Sequence, residues 1–428
     1  MTGTIEAQAD VRIDALFDNT PSVNACPYPH YDAVRAEPGL HYSPLVDAYL
    51  VTRHADAQEV LRDWQRFSNK IPFGRVTIQR ERDAIKALLE TEPDLADLLA
   101  RLKPRRAPML VSADPPVHMR QRRLLQNLFS PRYITDSHDF VRDLTRRLID
   151  AFADKPNVEL VGALAVPMPV QVIAVLMGVE PERQADFKRW SDCFVSATGE
   201  GGDVVAAIRG QTELFDYFKQ QIDERKARPR DDLVTRVMEA RQGDDEPFTD
   251  DEVIAVLSQM LVAGNETTSA LIGSSLMILA QHPDLAARLR AEPDRIPDFV
   301  EEVMRLECPA KATFRTVKED TTVGGFPVPA GGQLMILFGA ANRDPAACPS
   351  MQVELDPVPK MRHVGFGNGQ HFCLGAPLAR MEAKIVVEEM LGRFREIALA
   401  EPDAQPDYVP IDITRSLARL DLRLVPNG

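Results

Sequence analysis

One cysteine near the end of the chain, Cys373, follows a run of closely spaced glycines and is the residue best suited to bind a metal. Gly365, Gly367 and Gly369 disfavour helix and strand and suit a tight turn whose backbone another group can approach closely. The stretch Leu374–Leu391 alternates apolar and charged residues at helical spacing, so the cysteine lies where a loop becomes a helix. The partial positive charge of a helix N-terminus favours thiolate over thiol. A thiolate on such a turn suits a metal that needs one strong donor and an open opposite face.

The residues alone leave other roles open for Cys373. A cysteine at a turn is by default a small buried hydrophobic residue. A zinc site is a second alternative, but His371 and Cys373 supply only two ligands, and no second pair stands at zinc-site spacing. A Cys–His nucleophile is a third alternative, and it leaves the glycines and the following helix unexplained.

A resemblance separates these alternatives. Seven positions resemble the haem-binding loop of the cytochrome P450 family, namely Phe366, Gly367, Gly369, His371, Cys373, Leu374 and Gly375. The resemblance implies that Cys373 is the proximal ligand of the haem iron, with haem b (iron protoporphyrin IX) as the cofactor. It also implies that Phe366, Gly367 and Gly375 contact the cofactor.

A second match lies on a helix that opens with two prolines at residues 115 and 116. His118 and Arg122 are four residues apart and therefore share one face of that helix. A basic pair of this kind is usually solvated. The resemblance implies instead that His118 and Arg122, together with Arg315 and His371, bind the haem propionates.

The third match is a glycine inside a long helical pattern, followed by an acid and a hydroxyl. Gly264 costs about 1 kcal/mol relative to alanine in a helix interior, so a compensating role is expected. The resemblance places Ala263 and Gly264 against the cofactor and assigns proton delivery for O–O bond cleavage to Glu266 and Thr267. The alternative for Thr267 is a hydrogen bond to the backbone of the preceding turn.

An acid and a guanidinium one turn apart, Glu302 and Arg305, resemble the Glu-x-x-Arg signature of the same family. The resemblance implies a buried structural ion pair joined by a third residue, typically an arginine, from the segment before the cysteine loop. This sequence has no arginine between residues 346 and 361, so only Arg362 or His363 is available for that role.

The substrate pocket is expected on one face of the long helix and on the segment before Arg315. The residues expected to line it are Gln259, Val262, Ala263, Ala310 and Lys311. The apolar members favour a hydrocarbon next to the iron, and Gln259 and Lys311 are expected to hold a polar end of the substrate. The alternative for Lys311 is that it points to solvent or pairs with Glu307.

Composition excludes several classes of protein. The chain has 428 residues, 44% of them hydrophobic and 27% charged, which is typical of a globular protein. No apolar run approaches the roughly 18 residues that span a bilayer, so no membrane anchor is expected. The net charge of -14 argues against nucleic acid as a partner. Five scattered cysteines and a polar N-terminus without a signal-peptide pattern predict a cytoplasmic protein.

The pattern of elements predicts a mainly α fold with small β-sheets. Helical periodicity is found at Tyr31–Glu37, Ala55–Asp63, Ala84–Leu102, Asp136–Ala153, Val166–Met177, Arg183–Ser196, Val204–Lys226 and Thr249–Gln281. Strand patterns are found at Tyr49–Thr52, Thr313–Thr316 and Thr322–Leu337. We expect a flexible leader over residues 1–24 and a single domain over 25–428. The resemblance implies the cytochrome P450 fold, a triangular prism-like helical domain with a long central helix over the haem. It also implies that the two helices flanking the glycine-rich residues 198–202 form a movable lid over the pocket, and the alternative is that these residues are a simple surface loop.

The sequence is thus interpreted as that of a haem-thiolate monooxygenase. It is expected to hydroxylate or epoxidise a small-to-medium hydrophobic molecule such as a terpenoid, steroid, fatty acid or aromatic compound, using O2. No dinucleotide-binding glycine motif is present, so a separate ferredoxin and its reductase are expected as electron donors. The protein is also expected to be monomeric. Their expected docking patch consists of Arg120, Arg123, Lys360 and Arg362. Two alternatives remain open, a peroxide-dependent peroxygenase and a non-catalytic haem-binding protein.

Overall fold

The computed structural model describes residues 13–17, 20–92, 94–102, 109–196, 203–241, 243–355, 362–402, 405–409 and 414–427. Within these ranges the α-helices are α1 Pro21–Ala25, α2 Tyr28–Ala36, α3 His54–Arg62, α4 Arg75–Leu88, α5 Leu95–Leu102, α6 Val117–Gln126, α7 Pro131–Asp150, α8 Pro167–Leu176, α9 Gln184–Ser196, α10 Val204–Ala227, α11 Leu233–Met238, α12 Asp250–Gln281, α13 Pro283–Ala291, α14 Ile296–Leu306, α15 Phe338–Asn342 and α16 Ala376–Arg393. The strands are β1 His41–Ser43, β2 Ala48–Val51, β3 Phe67–Ser68, β4 Asn157–Glu159, β5 Ala312–Val317, β6 Thr321–Val323, β7 Phe326–Val328, β8 Gln333–Leu337, β9 Phe394–Leu399, β10 Asp407–Tyr408, β11 Leu417–Arg419 and β12 Asp421–Pro426. The expectation of a mainly helical chain with small sheets is confirmed.

The largest sheet has the strand order β1-β2-β8-β5-β3. Its β2–β8 pair is parallel, and its other pairs are antiparallel. Arg315 pairs with Leu334 across β5 and β8, which fixes the backbone position of Arg315 in the sheet. The smaller sheets are β4-β12-β9, β10-β11 and β6-β7.

Helix α12 is the long central helix that the sequence predicts. Thr249 and Glu252 form the expected capping box: the Thr249 Oγ1 accepts from the Glu252 N–H, and the Thr249 N–H donates to the Glu252 carboxylate at 2.9 Å. Proline at 283 cannot continue the helix, which ends at Gln281. Every residue from Thr268 to Ala280 is buried, so the C-terminal half of α12 is enclosed by other elements, α8 and α16 among them.

Most predicted helices are found within a few residues of their expected bounds. The exception is Ala84–Leu102, which the structure divides between α4 and α5. The sequence has Pro93 between these two helices, and proline removes a backbone donor that a continuous helix needs. The predicted lid connection at 198–202 lies outside the described residues.

Part of the segment assigned to a flexible leader has helical geometry, and the flexibility of the leader stays a prediction. Residues Ile13–Phe17 form a 3-10 helix, α1 begins at Pro21, and both Ala15 and Asn24 are buried. The boundary of a single domain at residue 25 stays a prediction. Among the described residues, no helix is long and apolar enough to cross a membrane.

Candidate haem-binding site

The turn before Cys373 has the backbone geometry that its glycines predict. Gly367 and Gly369 have φ of +73° and +66°, a region that side chains with a Cβ rarely adopt. A Cβ on Gly369 would also lie 2.9 Å from the Cα of Arg62. The Cys373 N–H donates to the Phe366 carbonyl at 2.8 Å, which closes the turn immediately before α16 begins.

Cys373 is exposed as a residue, whereas protein atoms surround its thiol. Desolvation raises the pKa of the thiol, whereas the backbone N–H groups of Gly375 and Ala376 and the guanidinium of Arg122 lower it. The helix N-terminus therefore lowers the pKa of the thiol as expected, but by less than burial raises it. A cation bound to the sulfur would remove the cost of a thiolate at this position.

Two histidines from distant parts of the chain meet beside this turn. The rings of His118 on α6 and His371 have centroids 4.0 Å apart. Asn69 donates its side-chain N–H to the Nδ1 of His371 at 3.1 Å, so that the Nε2 carries the proton of a neutral ring. Within the described chain, the His118 Nδ1 and the His371 Nε2 are buried without a hydrogen-bond partner. A buried nitrogen left in this way is costly unless a ligand satisfies it.

Two arginines extend the cluster. Arg122, one turn after His118, donates from Nη1 to the carbonyl of Phe372 at 2.6 Å. Arg315 on β5 is buried, and its Nη1 donates to the carbonyl of Phe314 at 2.8 Å. In the part of the chain that the structure describes, no carboxylate forms an ion pair with Arg315. The structure thus brings His118, Arg122, Arg315 and His371 together.

The electrostatics of the cluster favour an anionic ligand. Burial lowers the pKa of His118 to about 4 and that of His371 to about 3, and neighbouring arginines add to both effects. Burial also lowers the pKa of Arg315 to about 10, with Asp114 opposing it. Charge-assisted hydrogen bonds to a carboxylate would offset these costs. Two nitrogens without partners and an uncompensated guanidinium therefore fit the propionates of a haem next to Cys373.

The segment of α12 with the predicted acid and hydroxyl is continuous helix. Ala263 and Gly264 are exposed, and a Cβ on Gly264 would meet no atom within 4 Å. The Thr267 Oγ1 donates to the Ala263 carbonyl at 2.8 Å, which is the ordinary helical alternative for this residue. The Glu266 Oε1 accepts from the Thr414 hydroxyl at 2.7 Å.

Comparisons with known proteins show the family of the chain. A cytochrome P450 family model matches residues 170–410. The chain belongs to the cytochrome P450 family. Cytochrome P450 107B1 of Saccharopolyspora erythraea is 33% identical over 380 residues, which cover 88% of this chain and 89% of that protein. Members of the family are monooxygenases that bind haem b through a cysteine thiolate, and this chain is therefore a haem-dependent oxidoreductase.

Solved structures support the same conclusion. The structure of cytochrome P450 CYP109Q5 from Chondromyces apiculatus matches with a TM-score of 0.82 and 32% identity, covering 96% of this chain and 98% of that one. CYP109E1 from Bacillus megaterium, in complex with testosterone, matches with a TM-score of 0.79 and 28% identity, covering 93% and 99% of the two chains. The cytochrome P450 fold expected from the sequence is thereby confirmed.

The residues predicted to line the substrate pocket are distributed over two places. Gln259 is half-buried on α12, next to Val262 and Ala263, and its Oε1 is buried without a partner among the described residues. Lys311 instead donates to the Asn24 Oδ1 at 3.3 Å. It lines a cavity of about 430 Å³ whose described walls come from the N-terminal segment, α4 and the large sheet, and include none of the α12 residues.

The Glu302–Arg305 pair is present and largely buried on α14. Arg305 donates from Nε and Nη2 to the two carboxylate oxygens of Glu302 at 3.0 and 2.8 Å. The third partner of the pair consists of the backbone carbonyls of Ser350 and Gln352, which accept hydrogen bonds from Arg305, both at 3.1 Å. The expectation that Arg362 or His363 fills it is wrong, because a carbonyl in the right place already satisfies the remaining guanidinium N–H groups.

His363 has a different partner. Its Nε2 lies 3.2 Å from a Glu301 oxygen, and Arg380 donates two hydrogen bonds to the same carboxylate, at 2.6 and 2.9 Å. The Arg380 guanidinium also lies 4.4 Å from the centre of the Phe366 ring, and Phe366 accepts the Cys373 N–H. This network supports the cysteine turn, and the spacing of single residues gave no signal for it.

The expected basic docking patch is partly neutralised. Arg120 pairs with Glu252, and Arg123 donates two hydrogen bonds to Asp245 at 2.7 Å. Arg362 is exposed. Lys360, the fourth member, lies outside the described residues.

Proposed function

We propose that Cys373 supplies the thiolate ligand of the haem iron and that His118, Arg122, Arg315 and His371 hold the propionates. The observation that carries this proposal is the set of unsatisfied buried nitrogens and the uncompensated Arg315 beside the cysteine turn. The Arg315 guanidinium and the protonated nitrogens of the two histidines can donate to carboxylate oxygens, and this donor set supports a ligand with two carboxylates.

Bound haem supplies the activation of dioxygen, and we propose that the protein supplies the protons. Thr267 lies on the same helix turn as the exposed Ala263 and Gly264, so its hydroxyl is near the surface that faces the cofactor. A rotation about its χ1 releases the Ala263 carbonyl and directs the O–H outward. Glu266, the residue immediately before Thr267, restores the proton that Thr267 gives away.

The substrate is proposed to be a small-to-medium hydrophobic molecule such as a steroid, terpenoid, fatty acid or aromatic compound, which is hydroxylated or epoxidised. Val262, Ala263 and Ala310 give the pocket an apolar wall. The buried Gln259 Oε1 provides one acceptor for a polar group of the substrate. A steroid-bound structure among the similar proteins supports this size class.

The electron donors are proposed to be a ferredoxin and its reductase. The net charge of -14 disfavours nucleic acid as a partner, and a monomer in the cytoplasm is the proposed state. With Arg120 and Arg123 paired to acids, the exposed Arg362 is the remaining described cation of the proposed patch.

Turnover distinguishes the proposed function from its alternatives. The purified protein is given testosterone, a long-chain fatty acid, a monoterpene and an aromatic hydrocarbon, once with NADH, ferredoxin and reductase and once with hydrogen peroxide. Hydroxylated or epoxidised product that depends on NADH supports the proposal. Turnover with peroxide alone indicates a peroxygenase, and the absence of product under both conditions indicates a haem-binding protein.

The polar anchor has its own test. Gln259→Leu is expected to weaken the binding of ligands that carry a hydrogen-bonding end by about 1 kcal/mol. The binding of pure hydrocarbons is expected to stay unchanged, and spectral titration measures both. Lys311→Met is the comparison variant, because Lys311 lines the other cavity. It is expected to change the binding of neither polar-ended ligands nor hydrocarbons. An effect of Lys311→Met on polar ligands alone would place Lys311 in recognition after all.

A further inference from the structure

A residue far along the chain from the central helix contacts the acid of the proposed proton relay. Thr414 is buried, and its hydroxyl donates to the Glu266 Oε1 at 2.7 Å across 148 positions of sequence. This length is typical of a strong hydroxyl–carboxylate hydrogen bond.

Backbone contacts hold Thr414 and the residue that follows it in place. Thr414 forms an isolated antiparallel bridge with Ala310, and the Arg415 N–H donates to the Pro309 carbonyl at 2.8 Å. The buried Arg415 side chain donates to the Glu307 Oε2 at 2.8 Å. Because these contacts hold the segment against the strand that follows Ala310, the Thr414 hydroxyl is a donor in a fixed place.

The two relay residues are both engaged elsewhere in this arrangement. The Thr267 hydroxyl donates to its own helix, and the Glu266 carboxylate accepts from Thr414. A proton carrier that changes partners needs a defined position between transfers, since an unrestrained carboxylate spends little time in a productive geometry. A fixed donor on the opposite wall meets that need.

We propose that Thr414 is a positioning residue that holds the Glu266 carboxylate in one orientation between successive proton transfers. The inference rests on the proposed function of Glu266 and Thr267 and extends it to the C-terminal segment. Glu266 takes one proton from solvent and passes one proton toward Thr267, so it ends each cycle as the carboxylate that Thr414 binds again. Thr414 keeps its own proton throughout.

Variants of nearly equal shape distinguish the effect of losing the Thr414 hydroxyl from the effect of altered packing. Thr414→Val removes the hydroxyl, and Thr414→Ser keeps it while removing a methyl group. Thr145→Val is the control, because Thr145 is equally buried and its hydroxyl donates at 2.8 Å only to the backbone of α7.

Thermal unfolding tests the contact without any turnover. Thr414→Val is expected to lower the midpoint of unfolding in the native background and to change it much less in a Glu266→Ala background, because the acceptor is already absent there. Equal changes in the two backgrounds would show that Thr414 and Glu266 do not interact, and would overturn the proposal.

The functional measurement is the peroxide released per NADH consumed, with testosterone as the probe and a surrogate ferredoxin and reductase. Thr414→Val is expected to raise this ratio about threefold to tenfold, because losing the orientation of a proton donor removes only part of the hundredfold or more that such donors contribute. The affinity for testosterone is expected to stay unchanged. Thr414→Ser and Thr145→Val are expected to match the native protein.

Failure of this inference is distinguishable from failure of the relay itself. If Thr267→Ala raises the peroxide ratio and Thr414→Val does not, Thr414 has no positioning role and the inference is overturned. If neither Thr267→Ala nor Thr414→Val raises it, the proposed relay is wrong, and the role of Thr414 falls with it.

Discussion

Replacing Arg315 should have different effects on the protein with and without haem. Arg315 is buried at 4% exposure, and in the described part of the chain no carboxylate pairs with it. Burial lowers its pKa from 12.5 to about 10, which corresponds to about 3 kcal/mol against the charged form. Methionine removes that cost and also removes the hydrogen bonds to Thr313 and Phe314, which are worth about 1.5 kcal/mol each, the lower end for a charged donor. Arg315→Met is therefore expected to leave the stability of the haem-free chain nearly unchanged.

In the haem-bound protein the same change should be harmful. Loss of a charge-assisted hydrogen bond to a propionate costs about 1.5 to 3 kcal/mol, which corresponds to roughly tenfold to hundredfold faster loss of haem to an acceptor such as apomyoglobin. The assays are urea unfolding of the haem-free chain and the rate of haem transfer from the loaded protein.

Arg305→Met is the matched control for this prediction. Arg305 is similarly buried, but it has two hydrogen bonds to Glu302, so its replacement leaves a half-buried acid without its cation. It is expected to destabilise the chain by about 3 to 5 kcal/mol whether or not haem is bound. If Arg315→Met destabilises the haem-free chain as much as Arg305→Met does, the charge of Arg315 is compensated within the protein. The argument that it awaits an anionic ligand would then be refuted.

Three further predictions concern other residues. Thr267→Ala should leave haem binding intact but divert NADH-derived electrons to peroxide, since it removes only the proton donor; unchanged coupling of NADH to product would contradict the assigned role. Gly264→Ala should raise the unfolding free energy of the haem-free chain by about 0.5 to 1 kcal/mol, because no atom lies within 4 Å of the added Cβ, and a loss measured in urea would show strain there. Burial raises the pKa of Glu382 from 4.5 to about 8, so between these pH values the folded chain holds a proton that the unfolded chain has lost. The stability of the fold should therefore fall as the pH rises from about 4.5 to about 8. Glu382→Gln should flatten this slope in unfolding experiments at pH 5 to 8, and an unchanged slope would assign it to other groups.

The sequence predicts the elements whose signals are local. Thr249 and Glu252 start α12 through a capping box, and the glycines before Cys373 adopt the positive φ that only glycine tolerates readily. The fold class and the position of the cysteine at the start of α16 follow from such patterns. Recognition of the family added residues that no local pattern connects, such as Arg315 with His371.

Contacts made across the fold could not be predicted in this way. Asn69 binds His371 across 302 positions, and Thr414 binds Glu266 across 148. Nothing in the spacing of either residue marks its partner, because both contacts depend on how whole elements pack. The third partner of Arg305 escaped prediction for another reason: it consists of backbone carbonyls, which every residue possesses.

The central claim is that Cys373 binds the haem iron as a thiolate beside a cluster that binds the propionates. The most direct measurement is the carbon monoxide difference spectrum of the reduced protein, recorded for the native chain and for Cys373→Ser after haem loading. The native protein should show the absorption band of a thiolate-bound haem, and Cys373→Ser should lack it, because a hydroxyl is a harder and poorer donor to iron. A native spectrum without that band, or a Cys373→Ser spectrum that retains it, would contradict the claim.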